Sequence, residues 1–259
     1  MWNWNESPTQ AAAVAASAML LAGIGLFGLL RRGQWLTTLL FASCFLSLAA
    51  FQAGTLGMVN AADAAQARLW ATYLARISAL VSWLWLTLSV VLGRPEPRLQ
   101  LRNAGAYLVL SLVGCVVLAL TAGTPFAVQA VNGHGPGGIV VFGPLGKVYL
   151  MYLLVAMVAV LMNLESMLRV APASGQKRLS ALFLAILVAI LTELLVVSLG
   201  LLHGGLEVSW MVSSAPVLFV AGVVAALALA RRTLSDMDVP VARPVIYYSS
   251  VTLTLAGAF

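Results

Sequence analysis

The sequence predicts an all-α, polytopic membrane helix bundle with seven full transmembrane helices, a truncated eighth and an N-terminus outside the cell. Hydrophobic residues make up 62% of the 259 residues and charged residues only 8%, whereas about a quarter of the residues in a soluble domain are charged. The apolar residues form runs long enough to cross a bilayer, and the basic residues lie in short clusters between these runs. Together these observations exclude a soluble globular chain.

The predicted spans follow from length, because about 20 residues at ~1.5 Å each cross a hydrocarbon core of ~30 Å. They are predicted as helices because an isolated strand leaves its backbone polar groups unsatisfied in lipid. An eighth apolar run begins near Val245 and reaches Phe259, which is too short for a full crossing. The chain therefore divides into a seven-helix membrane region, 1–232, and a cytoplasmic linker with the start of the eighth helix, 233–259. The seven spans are 10–30, 35–59, 69–92, 104–120, 147–168, 179–202 and 210–230.

The basic residues predict the orientation of the bundle. Eleven of them lie on one side of the predicted membrane, and only Arg68 and Lys147 lie on the other. Because cytoplasmic loops carry an excess of Lys and Arg, the side with eleven is predicted to be cytoplasmic. The net charge of +6 is thereby explained as a topology signal. Membrane lipid is expected as a partner, and nucleic acid is not.

The longest predicted outer loop, 121–146, contains two β-prone runs, 126–131 and 139–142, on either side of the turn-forming sequence NGHGPGG. This pattern predicts a short hairpin lying over the outer face of the bundle. A lid over a pocket and an ordered connector are both compatible with it.

Glu193 lies inside the apolar run 179–202, where a carboxylate needs a polar partner, a proton or a wet cavity. It is predicted roughly 13 Å below the outer end of its span, and Arg76 roughly 10 Å below the outer start of span three, at ~1.5 Å per residue. Gln52 falls in the same layer. We therefore expect Arg76 and Glu193 to pair inside the bundle, with Gln52, Tyr73 and Thr192 completing the hydrogen bonds. A purely structural pair that fixes the packing of spans three and six is the alternative.

Residues with the spacing of a catalytic or metal site are not found. Span seven has no Lys for a retinal Schiff base, and His134 and His203 are predicted in outer loops. No Ser/His/Asp set, paired carboxylates or phosphate-binding loop has the required spacing. The sequence therefore predicts no catalytic residue, no cofactor and no metal ligand.

Three stretches resemble a known family. The first opens span five with Gly143, Pro144, Gly146, Lys147 and Tyr149, and the second closes it with LMNLESMLR at 161–169. Span six then begins behind Lys177 and Arg178, and span seven ends in ALARRTLSDMDVPVARPVIYYSS at 228–250. In this order the stretches resemble the N-terminal membrane region of bacterial sensor histidine kinases associated with the exosortase (PEP-CTERM) sorting system.

In that family a Leu-Glu-x-x-Leu-Arg element closes one helix, and a segment of Val, Arg and Tyr links the seventh helix to the next. The matching positions of that segment here are Val239, Ala242, Arg243, Val245 and Tyr247. The resemblance is clearest from 143 to 259.

The resemblance implies a membrane-embedded sensory region of a two-component histidine kinase in the bacterial inner membrane. Family members continue into a phosphoacceptor helix and an ATP-binding domain, so we expect a fragment without the catalytic domains that forms a homodimer through the missing kinase part. Glu165 and Arg169, one turn apart, are expected to pair and could couple to Arg243, although an ordinary solvated helix end is the alternative. The residues indicate no particular stimulus or ligand. A small-solute carrier or permease is the alternative function.

Overall fold

The computed structural model describes residues 8–30, 35–92, 97–133, 137–170 and 173–230. In this part of the chain eight helices account for most residues: α1 (Pro8–Leu30), α2 (Trp35–Val59), α3 (Ala64–Val91), α4 (Pro97–Asn103), α5 (Gly105–Thr121), α6 (Pro144–Val170), α7 (Ala173–His203) and α8 (Val208–Ala230). The predicted eighth span, 245–259, and Arg243 lie outside the described residues.

Six of these helices are long and apolar enough to cross a membrane: α1, α2, α3, α6, α7 and α8. The predicted span 104–120 corresponds to α5, which has 17 residues and is preceded by α4 at a bend of 72°. If α4 and α5 form one broken span, the described residues hold seven. The mostly helical membrane fold is thus confirmed, and a count of seven full spans stays a prediction.

The six long helices pack as a closed ring, in which α1 contacts α2, α2 contacts α3, α3 contacts α6, α6 contacts α7, α7 contacts α8 and α8 returns to α1. Helix α5 packs against α3 from outside the ring. Small residues allow helices to approach closely at these contacts. Gly28 lies against the ring of Phe41, and Gly57 against the indole of Trp70. Gly23 is an exception, since nothing lies within 4 Å of the place where its side chain would be.

Three short strands form an antiparallel sheet at one end of the bundle: β1 (Val128–Asn132), β2 (Ile139–Phe142) and β3 (Gly205–Glu207), in the order β1-β2-β3. We call this end of the bundle the sheet end. The predicted hairpin is present as β1 and β2, with Val131 opposite Val140. The all-α prediction missed β3, which lies between α7 and α8. Gly204 makes that short connection possible because its φ of +65° is favourable only for glycine.

Two clusters of buried side chains fill the ring. One lies toward the sheet end and includes Phe51, Leu74, Phe142 and Leu153. The other lies toward the opposite end and includes Phe45, Trp85 and Leu218. The candidate functional site lies within the cluster at the sheet end.

Candidate functional site: an apolar cavity with one carboxyl group

A cavity lies inside the helix ring, directly beneath the sheet. The space open to the centres of water-sized molecules is about 50 Å³, which is room for several waters, since one water needs ~10–15 Å³ on this measure. Its walls come from five helices and two strands, and include Phe51 of α2, Leu74 of α3, Leu153 of α6, Val196 of α7, Met211 of α8, Phe142 of β2 and Leu206 of β3.

One face of α3 supplies a third of the lining. Its cavity residues recur at helical spacing, so that they share one face. They are Ala71, Leu74, Ala75, Ser78, Val81 and Ser82. The small side chains of Ala71 and Ala75 leave the open space, and the two serines bring hydroxyl groups to an otherwise apolar wall.

Glu193 contributes the only ionisable carboxyl group in the cavity lining. It lies on α7, one turn before Val196 and Val197, which line the same wall. Its Oε1 atom is sealed from solvent and has no hydrogen-bond partner among the described residues. An ionised carboxylate near a bilayer centre costs at least ~2.5 kcal/mol. The site therefore favours a proton, a cation or a hydrogen-bond donor at this position.

Tyr149 connects α6 to α3 at the cavity wall. Its hydroxyl donates to the carbonyl of Ala75 at 2.6 Å and forms a short hydrogen bond with the hydroxyl of Ser78. Ser78 Oγ also lies 2.7 Å from the carbonyl of Leu74, and Ser82 Oγ donates to the carbonyl of Ser78 at 2.8 Å. The hydroxyl groups of the cavity therefore already have partners within the protein.

The first turn of α6 holds the sheet against the bundle. Two of its free amides are satisfied by the segment before β1, since Leu145 N and Gly146 N donate to Phe126 O at 3.0 and 3.3 Å. Just before the helix, Gly143 N donates to Ala127 O at 3.1 Å. A side chain at Gly143 would meet the carbonyl of Phe126, and one at Gly146 would meet the carbonyl of Ala127. Two of the residues that carry the family resemblance are thus glycine because backbone passes directly over them.

The predicted pair of Arg76 and Glu193 is wrong. The Arg76 side chain is exposed and its Nε donates to the carbonyl of Ala119 in α5 at 3.2 Å, and no salt bridge joins it to Glu193 within the described part of the chain. The physical reason is angular. The cavity face of α3 includes Ala75 and Ser78, and at 100° per residue position 76 points away from that face. The prediction compared the depths of Arg76 and Glu193 in the membrane but not the directions in which the two side chains leave their helices.

The three residues expected to complete the pair form no hydrogen bond with Arg76 or Glu193 in the described part of the chain. Tyr73 donates to the carbonyl of Ala50 at 3.4 Å, and Thr192 donates to Val188 in its own helix at 2.8 Å. Gln52 is fully buried, and neither its Oε1 nor its Nε2 has a partner among the described residues. No predicted polar cluster forms, and Glu193 is the member that reaches the cavity.

At the end of the bundle opposite the sheet, Glu165 and Arg169 form the predicted ion pair, with Arg169 Nε 3.0 Å from Glu165 Oε1. Both side chains are exposed, at 58% and 77%, so the pair contributes little stability. Its proposed coupling to Arg243 lies outside the described residues.

Sequence reasoning did not single out Ser78, Ser82 or Tyr149 as site residues. The two serines lie one turn apart on α3, amid apolar residues. This spacing is the feature of the sequence that could have identified them as site residues. Among the described residues no three metal-ligating side chains lie together. With one carboxyl group and hydroxyls that are already bonded, the arrangement suits the binding of a small molecule better than catalysis.

The long apolar helices and their ring define a multi-pass helical membrane protein. In comparisons with known proteins, no family model matches the chain, and neither does a curated protein or a solved structure.

Proposed function

We propose that the chain is the membrane-embedded input region of a sensor histidine kinase and that the cavity beneath the sheet is its stimulus site. The observation that carries the proposal is the cavity itself, which is apolar, enclosed by five helices and holds one carboxyl oxygen without a partner. A sensor needs an element whose two arrangements a stimulus can bias by binding them unequally. A cavity at the meeting point of several helices provides such an element.

A path from the cavity to the opposite end of the bundle supports the proposal. Helix α6 carries Tyr149 at the cavity wall and Glu165 with Arg169 near its other end. Glu165 lies sixteen positions after Tyr149, which is about 24 Å along the helix. In the proposed topology the sheet end is extracytoplasmic, so a change at the cavity reaches the cytoplasmic side through one rigid helix.

The experiment is a chimera in which the chain is fused in frame to a cytoplasmic histidine-kinase core, with autophosphorylation measured in membrane vesicles. Ala71→Leu fills the cavity from α3, because Ala71 lines it and is 4% exposed. We expect this variant to shift the autophosphorylation rate. Ala65→Leu makes the same change at an exposed position of the same helix and should leave the rate unchanged.

Equal rates in the unaltered chimera and both variants would contradict the sensor proposal. A small-solute carrier or permease is the competing function, since a buried carboxyl group also suits a proton or substrate site. Vesicle uptake of a labelled solute that Glu193→Gln abolishes, with autophosphorylation unaffected by Ala71→Leu, would favour the carrier.

A further inference from the structure

We propose that the cavity binds a small, mostly apolar molecule with one head group that donates a hydrogen bond to the carboxyl group of Glu193. The inference rests on the proposed function in taking the cavity as the stimulus site, and it names the chemical class of the stimulus. An alkyl amine and an alkyl alcohol share this chemistry.

The walls require an apolar body. Most of the lining side chains are aliphatic or aromatic, among them Leu74, Val81, Phe142, Leu153 and Met157. Burying such a body against them removes apolar surface from water at ~25 cal/mol per Å². A strongly polar solute such as a sugar would leave its hydroxyl groups without partners here.

The polar atoms of the cavity determine the head group. The hydroxyls of Ser78, Ser82 and Tyr149 each have a partner within the protein. Glu193 Oε1 is the polar atom of the lining that has none in the described part of the chain. An ionised carboxylate only accepts hydrogen bonds. A head group that donates a hydrogen bond satisfies this oxygen while the carboxyl group stays ionised, and an anionic head group would be repelled by it.

The position of Glu193 places this head group inside the ring. The carboxyl group lies on α7, on the wall that also includes Val196 and Val197, and strands β2 and β3 cover the cavity with Val140 and Leu206. The bound molecule would contact α3, α6 and α7 together, since all three helices line the cavity.

The test is photoaffinity labelling of the full chain in lipid nanodiscs with three butyl diazirine probes of equal length, ending in an amine, a hydroxyl or a methyl group. Mass spectrometry then locates the labelled peptides. We expect the amine or hydroxyl probe to label α3, α6 and α7 around the cavity about tenfold more than the methyl probe, a difference of ~1.4 kcal/mol in binding. Labelling should fall to the methyl level in Glu193→Leu, which removes the acceptor, and remain in the matched control Glu165→Leu, which changes an exposed carboxyl group.

Equal labelling by all three probes, or labelling that Glu193→Leu leaves unchanged, would overturn the inference. If Glu193→Leu does not fold, competition in the unaltered chain replaces it. Excess butylamine or butanol should block the labelling and pentane, which has the same number of heavy atoms, should not; equal blocking by pentane overturns the inference. Ala71→Leu should also reduce the cavity labelling. These outcomes are distinguishable from those of the proposed function. If the labelling is selective but Ala71→Leu does not change the autophosphorylation rate of the chimera, the sensor proposal is contradicted and the binding-site proposal stands.

Discussion

Two polar side chains of the bundle differ in what surrounds them. Glu193 faces a cavity that can hold a partner, whereas Gln52 is fully buried in α2 with both polar atoms unpaired among the described residues. A buried amide without partners costs about 1–3 kcal/mol. The unpaired amide of Gln52 therefore lowers the stability of the fold. Replacing it with an apolar side chain tests whether its polar atoms are needed for folding.

We expect Gln52→Met to raise the free energy of unfolding by about 1 kcal/mol, because a side chain of similar length replaces the unpaired amide. The midpoint of thermal unfolding in mixed micelles measures the change. Thr55→Val is the control, since Thr55 Oγ1 has a partner in the carbonyl of Phe51 at 3.2 Å and its loss should bring no stabilisation. A lower midpoint for Gln52→Met would show that its amide has a partner in the membrane.

Hydropathy identified Glu193 and Gln52 because a polar residue within an apolar run can be recognised from the sequence alone. Their partners were not predictable, because the direction of a side chain around its helix depends on which neighbours that helix has. Arg76 illustrates this point, since it lies in the right layer but contacts α5. Ser78 and Tyr149 were missed for the opposite reason, because hydroxyl groups are common in membrane helices and carry little signal individually.

Among the elements, the sheet is the one most dependent on close backbone contact. The carbonyl of Ala127 lies against Gly146 of α6, and Gly143 N donates to that same carbonyl. These contacts hold the strands over the cavity. A residue with a side chain at Gly146 would have to displace backbone atoms and not the end of a flexible side chain.

We expect Gly146→Ala to destabilise the protein and to loosen the sheet, because the added methyl group collides with the carbonyl of Ala127. Hydrogen exchange of the β1 and β2 amides and the unfolding midpoint measure the two effects. Gly23→Ala is the matched control in another membrane helix, where nothing lies within 4 Å, and it should be neutral or stabilising by up to ~1 kcal/mol. Equal exchange in both variants would contradict the role given to Gly146.

The hairpin of β1 and β2 was predictable because turn-forming residues separate two β-prone runs. Strand β3 was not, since three residues between two long helices give no periodicity to detect. It is a strand because β2 lies beside it, with Val140 opposite Leu206. That cause lies in the tertiary structure.

At the scale of the whole molecule, α1, α3, α6 and α8 begin at the sheet end of the ring and α2 and α7 end there. The sheet at the start of α6 and the exposed Glu165–Arg169 pair near its other end therefore lie at opposite ends of the bundle. Apolar length predicted the long helices well, because a bilayer sets their minimum size. The bend between α4 and α5 was not predicted, since α4 has the polar sequence PRLQLRN, which hydropathy places in the loop before the apolar stretch of α5. The basic residues still predict which end faces the cytoplasm.

We expect the sheet end to be extracytoplasmic. In a background with Cys44 and Cys115 replaced by Ala, Asn132→Cys places a thiol at the exposed end of β1, and Glu165→Cys places one at the opposite end of the bundle. A membrane-impermeant maleimide should label Asn132→Cys in intact spheroplasts and Glu165→Cys only after lysis. The reverse pattern would contradict the orientation predicted from the positive residues.

The sheet has a mechanical consequence. Strand β2 is separated from α6 by one residue, and β3 joins α7 directly to α8, so the β2–β3 hydrogen bonds clamp three helix ends together. A piston stroke of one helical turn, ~5.4 Å, would break that clamp. Tilting of a helix about the clamp would keep these hydrogen bonds. Helix α6, which begins next to the clamp, has 27 residues. A lever of this length, about 40 Å, moves its far end by roughly 3.5 Å for a 5° tilt, so a small widening of the cavity is amplified before it reaches the other side of the membrane.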